Sequence, residues 1–202
     1  MRLLVVLFLI MLIMGCVQEG KEAKVEEIKS LQGKKILMVI APKNFRDEEL
    51  SIPKQYFESI GATVRIASVS KNEAIGMLGA RVKPDLALSE VDIKKYDALV
   101  IVGGVGSKEY LWSNDELLTL VKEAYDNNKI VAAICLSPVV LARASILKGK
   151  EATVFPSNDA VEELKKAGVK YVDKPVVISG KIITARDPKA AEEFAKAIAG
   201  EI

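Results

Sequence analysis

Short stretches of almost unbroken apolar residues constrain this chain more than any other feature. Lys35–Ala41 (KILMVIA), Asp97–Val102 (DALVIV) and Ile130–Ile134 (IVAAI) show no polar alternation of the kind a half-exposed strand requires. Each reads as a strand buried on both faces, which is the mark of a parallel sheet covered by helices. Thr63–Ser68 (TVRIAS) reads as another strand, and Gly79–Val82 as a short edge strand.

The intervening stretches have helical spacing. Asp47 to Ile60 places Leu50, Phe57 and Ile60 toward the sheet and stops at Gly61. Pro53 suits only a first turn, which moves the expected start of that helix to near Ser51. Ser113 and Glu116 form an expected capping box for a helix that turns Leu117, Leu118, Val121 and Tyr125 inward. Pro138–Ser145 and Asn158–Ala167 read as further helices, and Ala152–Phe155 and Tyr171–Val172 as short strands. Val176–Ile178 and Ile182–Thr184 flank Ser179-Gly180-Lys181, a hairpin signal. Asp187 caps and Pro188 opens a last helix. Strands alternating with helices at this spacing predict an α/β three-layer sandwich with a mostly parallel sheet. Ligands in that architecture lie at the carboxyl ends of strands. Gly103-Gly104 and Cys135 both fall there.

Composition removes several chemistries. The 202 residues contain no histidine, so a Ser-His-Asp triad, a Cys-His dyad and an HExxH zinc site are excluded. Two cysteines in unrelated contexts supply neither a metal-ligand spacing nor a disulfide framework, so no metal and no cofactor is expected. Lys+Arg 29 against Asp+Glu 27 gives a net charge of +2, which offers nucleic acid no electrostatic footprint.

Positions 3–14 (LLVVLFLIMLIM) follow the single basic residue Arg2 and are too short to span a bilayer. They match the hydrophobic region of a signal peptide. With Gly15-Cys16 they resemble a lipoprotein signal, which implies a signal peptide over 1–15 and a lipid on Cys16. On this reading residues 16–33 form a polar tether, the α/β domain occupies 34–202, and the protein is lipid-anchored at the extracytoplasmic side of the cell membrane. An uncleaved membrane anchor is the other reading.

Cys135 follows the strand Ile130–Ile134 directly, where a tight turn would leave its side chain exposed. Backbone N–H groups at the following helix start would lower its pKa. A buried structural cysteine fits the local pattern equally well. The stretch from Ala133 to Lys150 (AICLSPVVLARASILKGK) resembles the nucleophile elbow of the PfpI/ThiJ family, within the class I glutamine amidotransferase-like superfamily. Phe45–Leu50 (FRDEEL), Gly103-Gly104, Ala152–Pro156 (ATVFP) and Ile183–Pro188 (ITARDP) match the family in the same order. The resemblance spans about 35–200 and implies a flavodoxin-like fold. It implies Cys135 as nucleophile, Glu49 as its carboxyl partner, and backbone N–H groups of Gly104 and Leu136 as an oxyanion site. Gly103, Phe155 and Arg186 would line the pocket, and a homodimer is implied.

Two family histidines are replaced, one by Leu136 and one by Phe155. Peptide hydrolysis must expel an amine and relies on such an acid–base partner, which disfavours a peptidase or amidase. Addition of a thiolate to a reactive aldehyde needs no strong leaving group, so a small-molecule carbonyl substrate fits better. A cysteine-dependent glyoxalase- or deglycase-like enzyme and a non-catalytic redox-sensing or binding domain are the two readings that remain.

Overall fold

The computed structural model describes residues 29–202. The chain opens its fold with β1 (Lys35–Val39), β2 (Lys43–Phe45), α1 (Asp47–Ser59) and β3 (Thr63–Ser68). Three short strands follow, β4 (Ala74–Gly76), β5 (Arg81–Val82) and β6 (Leu86–Ala87), before β7 (Ala98–Ile101). Next come α2 (Val105–Tyr110), α3 (Asp115–Asp126), β8 (Ile130–Ile134) and α4 (Pro138–Arg143). β9 (Glu151–Ala152), α5 (Asn158–Lys166) and β10 (Lys170–Tyr171) precede β11 (Val176–Ser179), β12 (Ile182–Ala185) and α6 (Ala191–Glu201).

The main sheet runs β11-β12-β8-β7-β1-β3-β6. All its pairings are parallel except the β11–β12 hairpin. β7 and β8 are buried at every position, and β1 at all but Lys35, as their unbroken apolar sequences require. α1 and α6 pack together over one face of the sheet, while α3 and α4 cover the other, with α5 against α4. The result is the α/β flavodoxin-like three-layer sandwich that the sequence predicts. Chain order reverses between β1 and β7, so the carboxyl edge there opens into a crevice.

Local differences from the expected elements have physical causes. α1 begins at Asp47 rather than near Ser51, and Pro53 lies well inside it. The acids Asp47, Glu48 and Glu49 suit the positive helix start, and the buried Pro53 ring fills the core at the cost of one backbone hydrogen bond. Asn114, not Ser113, caps α3, with its side-chain oxygen accepting from Leu117 N at 2.9 Å. The segment around Gly79 belongs to a separate small sheet, β2-β4-β5. Asp47 holds that sheet against α1 by accepting from the amides of Leu78 and Ala80, each at 2.8 Å. The core also reaches back to Leu31, which is 1% exposed and donates its amide to Ile60 O at 2.8 Å. The expected signal peptide and the expected lipid attachment at Cys16 lie outside the described residues.

Leu31→Ala should therefore destabilise the fold by about 2–5 kcal/mol, the usual cost of emptying a core leucine site. Urea denaturation checks this; an unchanged midpoint would mean that Leu31 is not part of the core.

Candidate active site

β8 ends at Ile134, and the chain turns so sharply that Cys135 adopts φ +63°, a left-handed conformation that is strained for a residue with a side chain. Several bonds hold the turn. Cys135 N donates to Ala185 O at 2.9 Å, Ser137 N to Ile134 O at 3.1 Å, and Phe155 N to Cys135 O at 2.8 Å. Ser137 Oγ donates to Val102 O at 2.7 Å, and Trp112 Nε1 donates to Leu136 O at 2.8 Å. Lys108 and Arg143 sit over the Trp112 ring. This strand-to-helix elbow is the arrangement expected for Cys135.

Glu49 lies in the first turn of α1, completely buried. Its Oε2 accepts the Gly103 amide at 2.9 Å, and its carboxyl interacts with the Cys135 side chain. Oε1 is buried without a well-aligned oxygen or nitrogen partner. A side chain at position 103 would bring its Cβ within 2.5 Å of both Cys135 Cβ and Glu49 Oε2. Gly104 has φ +98°, and a Cβ there would lie 2.4 Å from Asn44 O. The glycine pair thus lets β7 end directly beneath the cysteine.

Burial raises the Glu49 pKa to about 8, against the opposing hydrogen bonds from Cys135 and Gly103 and the charge of Arg46. Burial also pushes the Cys135 thiol up to about 12, helped by the Glu49 charge and opposed by the amides of Gly104 and Leu136. Two expectations are corrected here. Cys135 is only 7% exposed, and its pKa is not lowered, because desolvation outweighs the nearby amides. α4 offers little help, since its first residue is Pro138, which has no N–H. Between about pH 8 and 12 the two groups hold one proton between them.

Above this pair opens a cavity of about 650 Å³. Gly104, Cys135 and Leu136 form its floor, and Ile52, Met77, Val105 and Phe155 form apolar walls. Arg46, Glu48, Asp187 and Lys189 stand at its edge. Glu49, Cys135, Gly104, Leu136 and Phe155 are therefore brought together. Gly103 is placed below the cavity as the Glu49 amide donor rather than as a wall. Arg186 does not line it, because Asp173 and Asp187 hold its guanidinium at 2.9 and 3.0 Å. Arg46 adjoins the acidic motif but gave no separate signal. Met77 comes from the irregular 70–95 stretch, where nothing in the sequence indicates a cavity wall.

A profile of the DJ-1/PfpI family matches residues 34–201. The chain is 51% identical over 194 residues to the uncharacterized protein MJ0967 of Methanocaldococcus jannaschii, covering 96% of this chain and 93% of that protein. It is 32% identical over 152 residues to Deglycase TK1284 of Thermococcus kodakarensis, covering 75% and 90%. A crystal structure of a ThiJ/PfpI domain protein from Brachyspira murdochii superposes with TM-score 0.79 at 36% identity, covering 84% and 97%.

The expected position, lipid-anchored on the extracytoplasmic side of the cell membrane, is corrected by these findings. The Brachyspira chain is almost entirely the α/β domain. Among the described residues, no helix is long and apolar enough to cross a membrane.

Two outcomes follow from the Glu49–Cys135 pair. A carboxyl whose pKa is raised by folding stabilises the fold fully below its unfolded value of about 4.3 and loses that contribution as pH rises through about 8. The stability of the native chain, relative to Glu49→Gln, should thus fall from pH 5 to pH 8, by roughly 1.4 kcal/mol per pH unit at most. Parallel pH profiles for the two proteins in urea denaturation would contradict the assignment. Alkylation of Cys135, followed by peptide mass analysis, should keep climbing above pH 8 toward the thiol's own value of about 12, and shift to lower pH in Glu49→Gln, which removes the carboxylate charge that holds the thiol up. A Cys135 midpoint near 6 would refute it.

Proposed function

This chain belongs to the DJ-1/PfpI family, and we propose that it is a cysteine-dependent enzyme of glyoxalase or deglycase type, acting on small reactive aldehydes or early glycation adducts. The observation that carries the reading is the buried Glu49 carboxyl in contact with Cys135 beneath the floor amides of Gly104 and Leu136. The deglycase name of the Thermococcus relative supports it.

With an α-oxoaldehyde, the pair that has lost one proton is Glu49 carboxylate beside Cys135 thiol, and Glu49 takes the thiol proton as sulfur approaches the substrate. Sulfur attacks the aldehyde carbon, a C–S bond forms, and the carbonyl electron pair moves to oxygen. The Gly104 and Leu136 amides receive that charge. Glu49 gives its proton to the oxygen, completing a hemithioacetal. As carboxylate it then removes the proton from the former aldehyde carbon, the hydroxyl proton passes to the neighbouring oxygen, and Glu49 returns a proton to the ketone carbon. The product is a 2-hydroxy thioester. Water cleaves its C–S bond, releasing a 2-hydroxy acid and restoring the thiol. No step needs a histidine, and none expels an amine.

The native chain should convert methylglyoxal to lactate, with a rate that rises as pH is raised through about 8, where the pair loses its first proton. Cys135→Ser and Glu49→Gln should each lower kcat/KM by at least about 100-fold, the lower end expected for a positioned acid–base group. A Cys135→Ser variant as fast as the native chain would remove the proposal.

A further inference from the structure

The walls of the cavity narrow the substrate class beyond small aldehydes. Large apolar side chains stand partly exposed at eight described positions, and four of these, Ile52, Met77, Val105 and Phe155, line this one cavity. Isolated exposed apolar residues are ordinary, whereas their convergence on a concave site marks a ligand surface. The polar groups at the edge are largely committed elsewhere. Arg46 is held by Glu48 at 2.8 Å and Asp187 by Arg186 at 3.0 Å, while Lys189 is exposed to solvent.

Chain connectivity sets apolar residues beside the amides at the cavity floor. The two amides that meet the Cys135 sulfur belong to Gly104 and Leu136. Val105 follows the first donor directly, Leu136 carries the second on its own backbone, and Phe155 is bonded to Cys135 O through its amide at 2.8 Å. A carbonyl whose oxygen reaches those amides lies in the cavity that Val105, Leu136 and Phe155 line. Methylglyoxal offers only a methyl group there, and the cavity of about 650 Å³ is far larger than such a molecule.

From this placement, and resting on the aldehyde chemistry proposed above, we infer that the site selects carbonyl compounds bearing a bulky apolar or aromatic substituent on the carbon beside the reacting one. Arylglyoxals represent the class, with Val105 and Phe155 as its specificity-determining residues. An apolar wall discriminates by roughly 10-fold or more for added hydrocarbon.

The test uses capture at Cys135, so that it does not depend on turnover. Phenacyl bromide and bromoacetone differ only in the aryl or methyl substituent. Each alkylates the thiol by forming a C–S bond as bromide and a proton leave. Rates at Cys135 in the native chain, read by peptide mass and divided by those for glutathione, should favour the phenacyl reagent at least about 10-fold. Phe155→Ser and Val105→Ser, both at partly exposed positions, should each bring that ratio toward one. A corrected ratio near one in the native chain overturns the inference, as does a preference that survives both substitutions. Failure of the native chain to consume methylglyoxal or phenylglyoxal would overturn the proposed reaction and leave the capture result standing as a binding preference.

Discussion

A carboxyl pressed under a thiol, with one backbone amide to hold it, sets the conditions for the rest of this structure. Glu49 has no access to water and keeps a single well-formed bond, from Gly103. An ionised carboxylate would leave Oε1 buried and unsatisfied, so the site favours the protonated acid. The neighbourhood is shaped to permit this. Position 103 must lack a side chain, Gly104 must adopt a conformation open to glycine, and α1 must begin early enough to put Glu49 in its first turn. The fully buried strands β7 and β8 supply the rigid edge against which these demands are met.

Much of this was legible before the structure. The unbroken apolar runs fixed the parallel strands, because only a sheet covered on both sides tolerates such sequences. The position of Cys135 directly after Ile134 placed it at the strand-to-helix junction. What escaped were features set by tertiary context. Pro53 argues against a helix locally, yet packing accommodates it inside α1. The exposure and acidity of Cys135 were misjudged because local sequence shows the nearby amides but not the desolvation that outweighs them. Arg186 looked like a pocket residue from its motif, but Asp173 and Asp187 turn it aside. Met77 reaches the cavity only because Asp47 ties a distant loop down through the amides of Leu78 and Ala80.

The absence of histidine changes what the elbow is suited to do. Leu136 and Phe155 convert positions that could carry a base into apolar surface, which deprives the site of one catalyst and dries its surroundings. Drying works on the remaining pair, since the same burial that raises the thiol also keeps Glu49 protonated near neutral pH. In the proposed reaction, proton transfer therefore falls to the single carboxyl, and recognition to the hydrocarbon around it.

The elbow also carries its own optical label. The sequence contains one tryptophan, and that indole is bonded to the carbonyl of the residue immediately after Cys135. Its ring lies near two cationic side chains and is almost entirely shielded from water. The tryptophan emission of the folded protein consequently originates beside the Cys135 sulfur, and any event that shifts the turn changes the light the whole chain emits.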